Sequence, residues 1–201
     1  MVVEFFYDCS SPWTYLAFEQ IQPIAARTGA LIDWRPILVG GVFNAVNDTV
    51  YAARANPNPI KARYYAKDLQ DWARLVGVRI GAPSVFPVRS VTCMRGAFYA
   101  FDHGRGVAYS RALFEAYWGD LQDISQPGVI AGCAERAGLD GEALLAFAAG
   151  DDAKARLIAN TDELIARGGF GSPTLFVDGA DMYFGNDRLA LVEAALARSR
   201  A

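Results

Sequence analysis

Three short stretches carry side chains able to do chemistry, and they stand far apart along the chain. The first is Cys9-Ser10-Ser11-Pro12-Trp13-Thr14, which follows an apolar run. Pro12 suits the first turn of a helix, so Ser11 falls at or next to a helix N-terminus. Unpaired backbone N–H groups and the positive end of the helix dipole favour an anion there, and a thiolate is such an anion. On this segment alone Ser11 is as well explained as an N-cap ahead of a proline. The second stretch is Gly168-Gly169-Phe170-Gly171-Ser172-Pro173-Thr174. It reads as an ordinary glycine-rich loop or, if Ser172-Pro173 is cis, as exposed backbone that pairs with an extended peptide ligand. The third is Gly185-Asn186-Asp187-Arg188, where Asp187 reads as the N-cap of a closing helix. The same turn, with its carboxylate, amide and N–H groups, also suits a zwitterionic head group.

Other chemistries lack residues. His103 is the only histidine, so a Ser-His-Asp triad would have to run through it, and a histidine-rich metal site is impossible. Phe101-Asp102-His103-Gly104 reads as a helix end, where a histidine serves capping and the dipole. Cys9, Cys93 and Cys133 have neither the even count nor the spacing of a disulfide framework or a zinc ribbon, and no metal is expected. A formal charge of -3 with scattered basic residues leaves no footprint for nucleic acid or an anionic membrane. The apolar stretches are too short to span a bilayer. Met1 leads straight into a strand pattern without a basic leader, so a cytoplasmic protein is expected.

The elements that position the three turns follow from hydrophobic period. At 53% hydrophobic and 20% charged, 201 residues suffice for a packed core in one domain. Val2 to Tyr7 and Leu31 to Pro36 read as strands around a helix that stops at Thr28-Gly29, a β-α-β unit with a right-handed crossover. From about Asn56 to Arg167 the pattern is helical. Lys61 to Val76 is amphipathic, with Tyr64, Tyr65, Leu69, Trp72 and Leu75 on or near one face. Thr92 to Phe101, Val107 to Trp118, Gln126 to Ala137, Gly141 to Ala149 and Ala153 to Arg167 are further helices, with Ser125 and Asp140 as caps. Thr174 to Phe184 is a hairpin turning at Gly179, and Asp187 to Arg200 a closing helix. This order predicts an α/β fold, thioredoxin-like with an all-helical insertion. Within the single domain 1–201, the thioredoxin parts are 1–45 and 169–201, and the insertion spans about 46–168.

Taken together, the motifs resemble the 2-hydroxychromene-2-carboxylate isomerases, relatives of the kappa-class glutathione transferases in the DsbA-like branch of the thioredoxin fold. The resemblance runs through Phe5-Phe6-Tyr7-Asp8 and Ser11-Pro12-Trp13-Thr14-Tyr15, then Gly40-Gly41-Val42-Phe43, read as a loop, and Lys67-Asp68-Leu69-Gln70-Asp71-Trp72. It continues through Ala116-Tyr117-Trp118, Asp123-Ile124-Ser125, Gly171-Ser172-Pro173-Thr174 and Gly185-Asn186-Asp187-Arg188. It implies glutathione as cofactor, with Ser11 as the catalytic serine that hydrogen-bonds the glutathione sulfur. Ser172, before the family's cis-proline at Pro173, pairs with the cysteinyl backbone. Asn186 and Asp187 hold the γ-glutamyl head, and Lys61 meets the glycyl carboxylate. Thr14 occupies the place of a redox motif's second cysteine, and Cys9 lies out of register, so no dithiol cycle is available. One pair departs from the pattern. Asp48 stands where the family has a glutathione-contacting Asn, so either Asn47 takes that contact through a local shift or the contact is altered.

The implied reaction isomerises 2-hydroxychromene-2-carboxylate to trans-o-hydroxybenzylidenepyruvate by reversible addition of the glutathione thiolate. A small aromatic substrate would sit against the insertion, with Tyr64, Tyr65, Trp72, Phe86 and Trp118 as candidate walls and Arg89 or Arg95 as candidate carboxylate partners. A homodimer is implied as well. Two other readings stay open: a kappa-class-like glutathione transferase, and a non-catalytic glutathione-binding module.

Overall fold

Aromatic and β-branched residues make β1 (Val2–Tyr7) the central strand, and its alternation assigns the two faces of the sheet. A computed structural model describes residues 1–198. Val3, Phe5 and Tyr7 enter the larger core cluster, while Phe6 enters a smaller one with Ile37, Val42, Leu164 and Phe176. β2 (Leu31–Pro36) runs parallel to β1, with Phe5 opposite Trp34. β3 (Thr174–Val177) and β4 (Asp181–Phe184) continue antiparallel on the other side, giving the order β2-β1-β3-β4. The crossover is α1 (Pro12–Thr28), whose buried face of Leu16, Phe18 and Ile21 packs into the larger core. A buried side chain of this size contributes roughly 1.5–3 kcal/mol.

Between β2 and β3 the chain is helical: α2 (Val39–Val46), α3 (Thr49–Ala55), α4 (Pro59–Val76), α5 (Val91–Asp102), α6 (Gly106–Phe114), α7 (Pro127–Arg136), α8 (Gly141–Ala149) and α9 (Asp151–Ala166). A short 3₁₀ turn, Asn186–Arg188, leads into α10 (Leu189–Arg198). Residues 199–200 of the expected closing helix lie outside the described residues. Among the described residues no helix is long and apolar enough to cross a membrane.

Four expectations are corrected. Gly40-Gly41-Val42-Phe43 is the start of α2 and not a loop. Its first N–H groups are satisfied from afar: Leu38 N donates to Thr161 Oγ1 at 3.0 Å and Val39 N to Asp8 Oδ2 at 2.9 Å. Val107 to Trp118 is not one helix, because α6 ends at Phe114 and Glu115–Gly119 widens into a π turn. Ser125 is not a cap: its hydroxyl donates to Asp123 Oδ1 at 2.6 Å and Gln126 precedes α7, whereas Asp140 does cap α8. The face of α4 that packs is Leu69, Trp72, Ala73 and Val76 against α1, which leaves Tyr64, Tyr65 and Leu75 exposed.

Candidate active site

The β1–α1 turn is fixed by a buried carboxylate. Asp8 is fully buried; its Oδ1 accepts from Ser10 N at 2.9 Å, and its Oδ2 accepts from Val39 N at 2.9 Å and Ser90 Oγ at 3.0 Å. One side chain thus ties the turn to the starts of α2 and α5. Burial pushes the Asp8 carboxyl above the ordinary aspartate range, against the donors that pull it down.

Ser11 is the N-cap of α1, its Oγ accepting from Thr14 N at 3.2 Å. The same hydroxyl donates to the Ser172 carbonyl at 3.3 Å. The cap and the ligand-binding roles are therefore compatible. Thr14 N uses one lone pair of the oxygen, and the hydroxyl proton remains free to turn from Ser172 O to an incoming anion. The Ser172-Pro173 peptide is cis. Ser172 turns its side chain inward, where Oγ accepts from Asp8 N at 3.0 Å and lies 2.8 Å from Thr14 Oγ1. Thr14, at the position of a second redox cysteine, is fully buried and spends its hydroxyl on that structural bond.

Cys9 plays no part in an exposed site. It is fully buried, and the neighbouring Cys93 thiol together with burial pushes its own thiol up. Its peptide is gripped by the helical insertion: Trp118 Nε1 donates to Cys9 O at 3.0 Å, and Cys9 N donates to Met94 Sδ at 3.4 Å.

Two clefts open from this centre and share Trp13, Ser172 and Phe184. The first, about 460 Å³, holds Ser11, Phe43, Tyr51 and Phe86 together with Arg54 and Arg89, and no carboxylate lines it. The second, about 420 Å³, holds Tyr65, Trp72, Pro173 and Asn186 together with Asp68 and Asp187, and no lysine or arginine among the described residues lines it. Asn186 is buried, and its Nδ2 has no hydrogen-bond partner. A buried donor left unpaired costs on the order of 1–3 kcal/mol, so an acceptor that reached it from the cleft would be stabilised there. Two glycines are needed here. A Cβ on Gly171 would come within 2.8 Å of the Phe184 ring, and Gly185 takes φ +98° to aim Asn186 inward.

The structure gathers most, but not all, of the residues singled out from sequence. Ser11 and Asn47 line the first cleft, Pro173, Asn186 and Asp187 the second, and Ser172 both. Asn47 Nδ2 donates to Phe170 O at 3.0 Å, which ties α2 to the loop before Ser172. Asp48 is exposed and lines neither cleft, whereas Asn47 lines the first. Lys61 stands exposed in the first turn of α4 and lines neither cleft. Asp187 is not a cap: it lies within the 3₁₀ turn and its Oδ2 accepts from Arg188 at 2.5 Å. Of the aromatic candidates, Phe86, Tyr65 and Trp72 line a cleft. Tyr64 points to solvent, and Trp118 supports Phe86 from beneath at 6.1 Å. Arg89 is in place, whereas Arg95 reaches Ala148 O and lines neither cleft. Sequence reasoning missed Tyr51, Arg54, Asp68 and Phe184. Only Asp68 and Phe184 fell inside segments already read as motif or strand.

Residues 2–197 match the family model of the DSBA-like thioredoxin domain. The chain is 31% identical to a 2-hydroxychromene-2-carboxylate isomerase of Pseudomonas putida, over 98% of this chain and 95% of the relative. It is 29% identical to human glutathione S-transferase kappa 1, over 94% of this chain and 88% of the relative. Among solved structures, that of a 2-hydroxychromene-2-carboxylate isomerase superposes with a TM-score of 0.79 at 30% identity, over 98% of this chain and 95% of the other.

Proposed function

We propose a function on the premise that this chain belongs to the DSBA-like thioredoxin family and, within it, to the 2-hydroxychromene-2-carboxylate isomerases. It is a glutathione-dependent isomerase that converts 2-hydroxychromene-2-carboxylate to trans-o-hydroxybenzylidenepyruvate. The observation that carries the reading is Ser11: a hydroxyl at a helix N-terminus, accepting from Thr14 N and donating to the carbonyl of Ser172, a residue shared by two clefts of opposite charge.

The residues present fit glutathione. The unpaired Nδ2 of Asn186 supports an acceptor at the γ-glutamyl end, and Asp68 and Asp187 suit its ammonium. The Ser172 backbone suits the cysteinyl unit, and Ser11 the sulfur. When bound, glutathione supplies a thiolate that adds to and leaves a double bond of the ring-opened substrate, freeing rotation about it. Ser11 Oγ donates to that sulfur while accepting from Thr14 N, which polarises the hydroxyl. The α1 N-terminus adds positive potential at the same point and lowers the thiol's pKa. Trp13, Phe43 and Phe86 exclude water from the substrate side, and Arg89 lends that side positive potential. We also read the protein as a cytoplasmic homodimer. Three buried free cysteines fit a reducing compartment, and light scattering tests the dimer.

The test mixes the protein with 2-hydroxychromene-2-carboxylate and glutathione and follows the ultraviolet spectrum and the total free thiol. Isomerisation with thiol conserved is expected. Loss of thiol into a conjugate would instead support a transferase, the reading favoured by the kappa-class similarity. Glutathione binding without any reaction would leave only a binding module.

A further inference from the structure

Arg54 lies in the last turn of α3, where a basic residue needs no ligand to explain it. Its side chain does more than complement a dipole. The guanidinium sits 5.4 Å from the centre of the Phe43 ring and 5.5 Å from that of Phe86. Those rings belong to α2 and to the segment between α4 and α5, so the cation bridges two walls of one cleft. Both faces of the bracket are apolar, and among the described residues Arg54 forms no ion pair. The cleft that it borders has no carboxylate. A larger cleft elsewhere, between α1 and the π turn, behaves differently: there Arg111 pairs with Glu19 at 2.8 Å and Arg79 with Asp120 at 2.8 Å. Arg54 and Arg89, by contrast, border the cleft that contains Ser11 without an ion pair among the described residues.

A guanidinium that lies near two aromatic rings and has no ion pair of its own keeps N–H donors for a planar, bidentate acceptor, and a carboxylate matches that fork. Resting on the isomerase reading, we propose that Arg54 is the residue that selects a carboxylated aromatic substrate. Bracketed by Phe43 and Phe86, it binds the substrate's carboxylate and discriminates against neutral analogues of the same shape. Arg89 adds positive potential to the same cleft. The acidic second cleft repels the same anion, so the substrate enters from the Arg54 side.

The experiment compares wild type with Arg54→Gln in three measurements. The first is KM for the chromene acid and for its methyl ester. The second is KM for glutathione. The third, without turnover, is the Kd of cinnamate and of cinnamide by isothermal titration calorimetry in the presence of S-methylglutathione. Arg54→Gln should raise KM for the acid and Kd for cinnamate by about 10- to 100-fold, the scale of one charge-assisted bidentate pair. Values for the ester, the amide and glutathione should stay within about twofold, as expected where no charged partner is lost. Equal effects on acid and neutral analogues would overturn the proposal, as would an effect that falls on glutathione. If wild type leaves the chromene unchanged, the isomerase reading fails, while the cinnamate measurement still decides the role of Arg54.

Discussion

The two clefts beside Ser172 share three residues and differ in sign. One is bordered by Arg54 and Arg89 without a carboxylate, the other by Asp68 and Asp187 without a lysine or arginine. Both are apolar between those charges, with Phe43 and Phe86 on one side and Tyr65 and Trp72 on the other. A single groove of uniform sign would leave two molecules free to bind in either place. On the proposed reading, opposite signs would sort them: the ammonium end of glutathione to one side and an anionic aromatic to the other, with the reacting atoms meeting near Ser11. Charge here does the work of orientation, and the apolar walls do the work of affinity.

The comparison can be attacked at its centre. Ser11→Ala should lower kcat by about 10²- to 10³-fold, the usual loss for one donor to a developing anion, with binding at both clefts nearly intact. Unchanged turnover by the ultraviolet assay would dissolve the link between the clefts. Asp8→Ala should come next. It leaves Ser10 N, Val39 N and Ser90 Oγ without their acceptor and should lower stability by about 3 kcal/mol in urea unfolding. Val39 and Ser90 line the arginine-bordered cleft, so residual binding should weaken there and not on the acidic side. A smaller effect tests the acidic side directly. Asp187→Asn should raise KM for glutathione by about tenfold or less, because Arg188 already shares the carboxylate, and should leave the acid's KM unchanged.

The smallest is a pH control remote from both clefts. A hydrogen bond from Arg167 holds the Glu4 carboxyl below the ordinary glutamate range, and its nearby charge adds to this. A depressed folded value means stability that is present above the ordinary range and lost as pH falls through the folded value. Glu4→Gln should flatten that acid limb by about 0.5–1 kcal/mol in urea titrations from pH 6 to 3. Asp8, whose folded value is raised, has the opposite sign: its contribution is full below the ordinary aspartate range and lost as pH rises toward the folded value. Glutathione affinity measured across the same range should not track the Glu4 limb.

Much of this was legible in the residues, and the omissions have a common cause. β1, α1, β2, α8 and the hairpin announce themselves through local period, Pro12, the Asp140 cap and Gly179. α2 does not, because its N-terminal donors are satisfied by Asp8 and Thr161, residues from other elements, and its second and third residues are glycines. With α2 read as a loop, the direction of everything after it was hidden. Asn47 faces the cleft and Asp48 the solvent, a one-residue difference that only the helix ending before them sets. Arg54 and Tyr51 lie on α3, a helix with no buried residue and so no hydrophobic period to mark it. Asp187 misled through a favourable residue type: Arg188 beside it offered a stronger partner than the free N–H groups.

The bond from Trp118 to the Cys9 carbonyl bears on how such a protein can be altered. The insertion supplies a cleft wall in Phe86 and, through Trp118 and Met94, also holds the peptide two residues before Ser11. The cleft wall and the position of Ser11 are therefore tied to the same insertion. Transplanting a cleft wall from a relative should bring a new preference only when the Trp118 and Met94 contacts travel with it. A graft that keeps the wall and drops those grips would shift the aim of Ser11 along with the specificity.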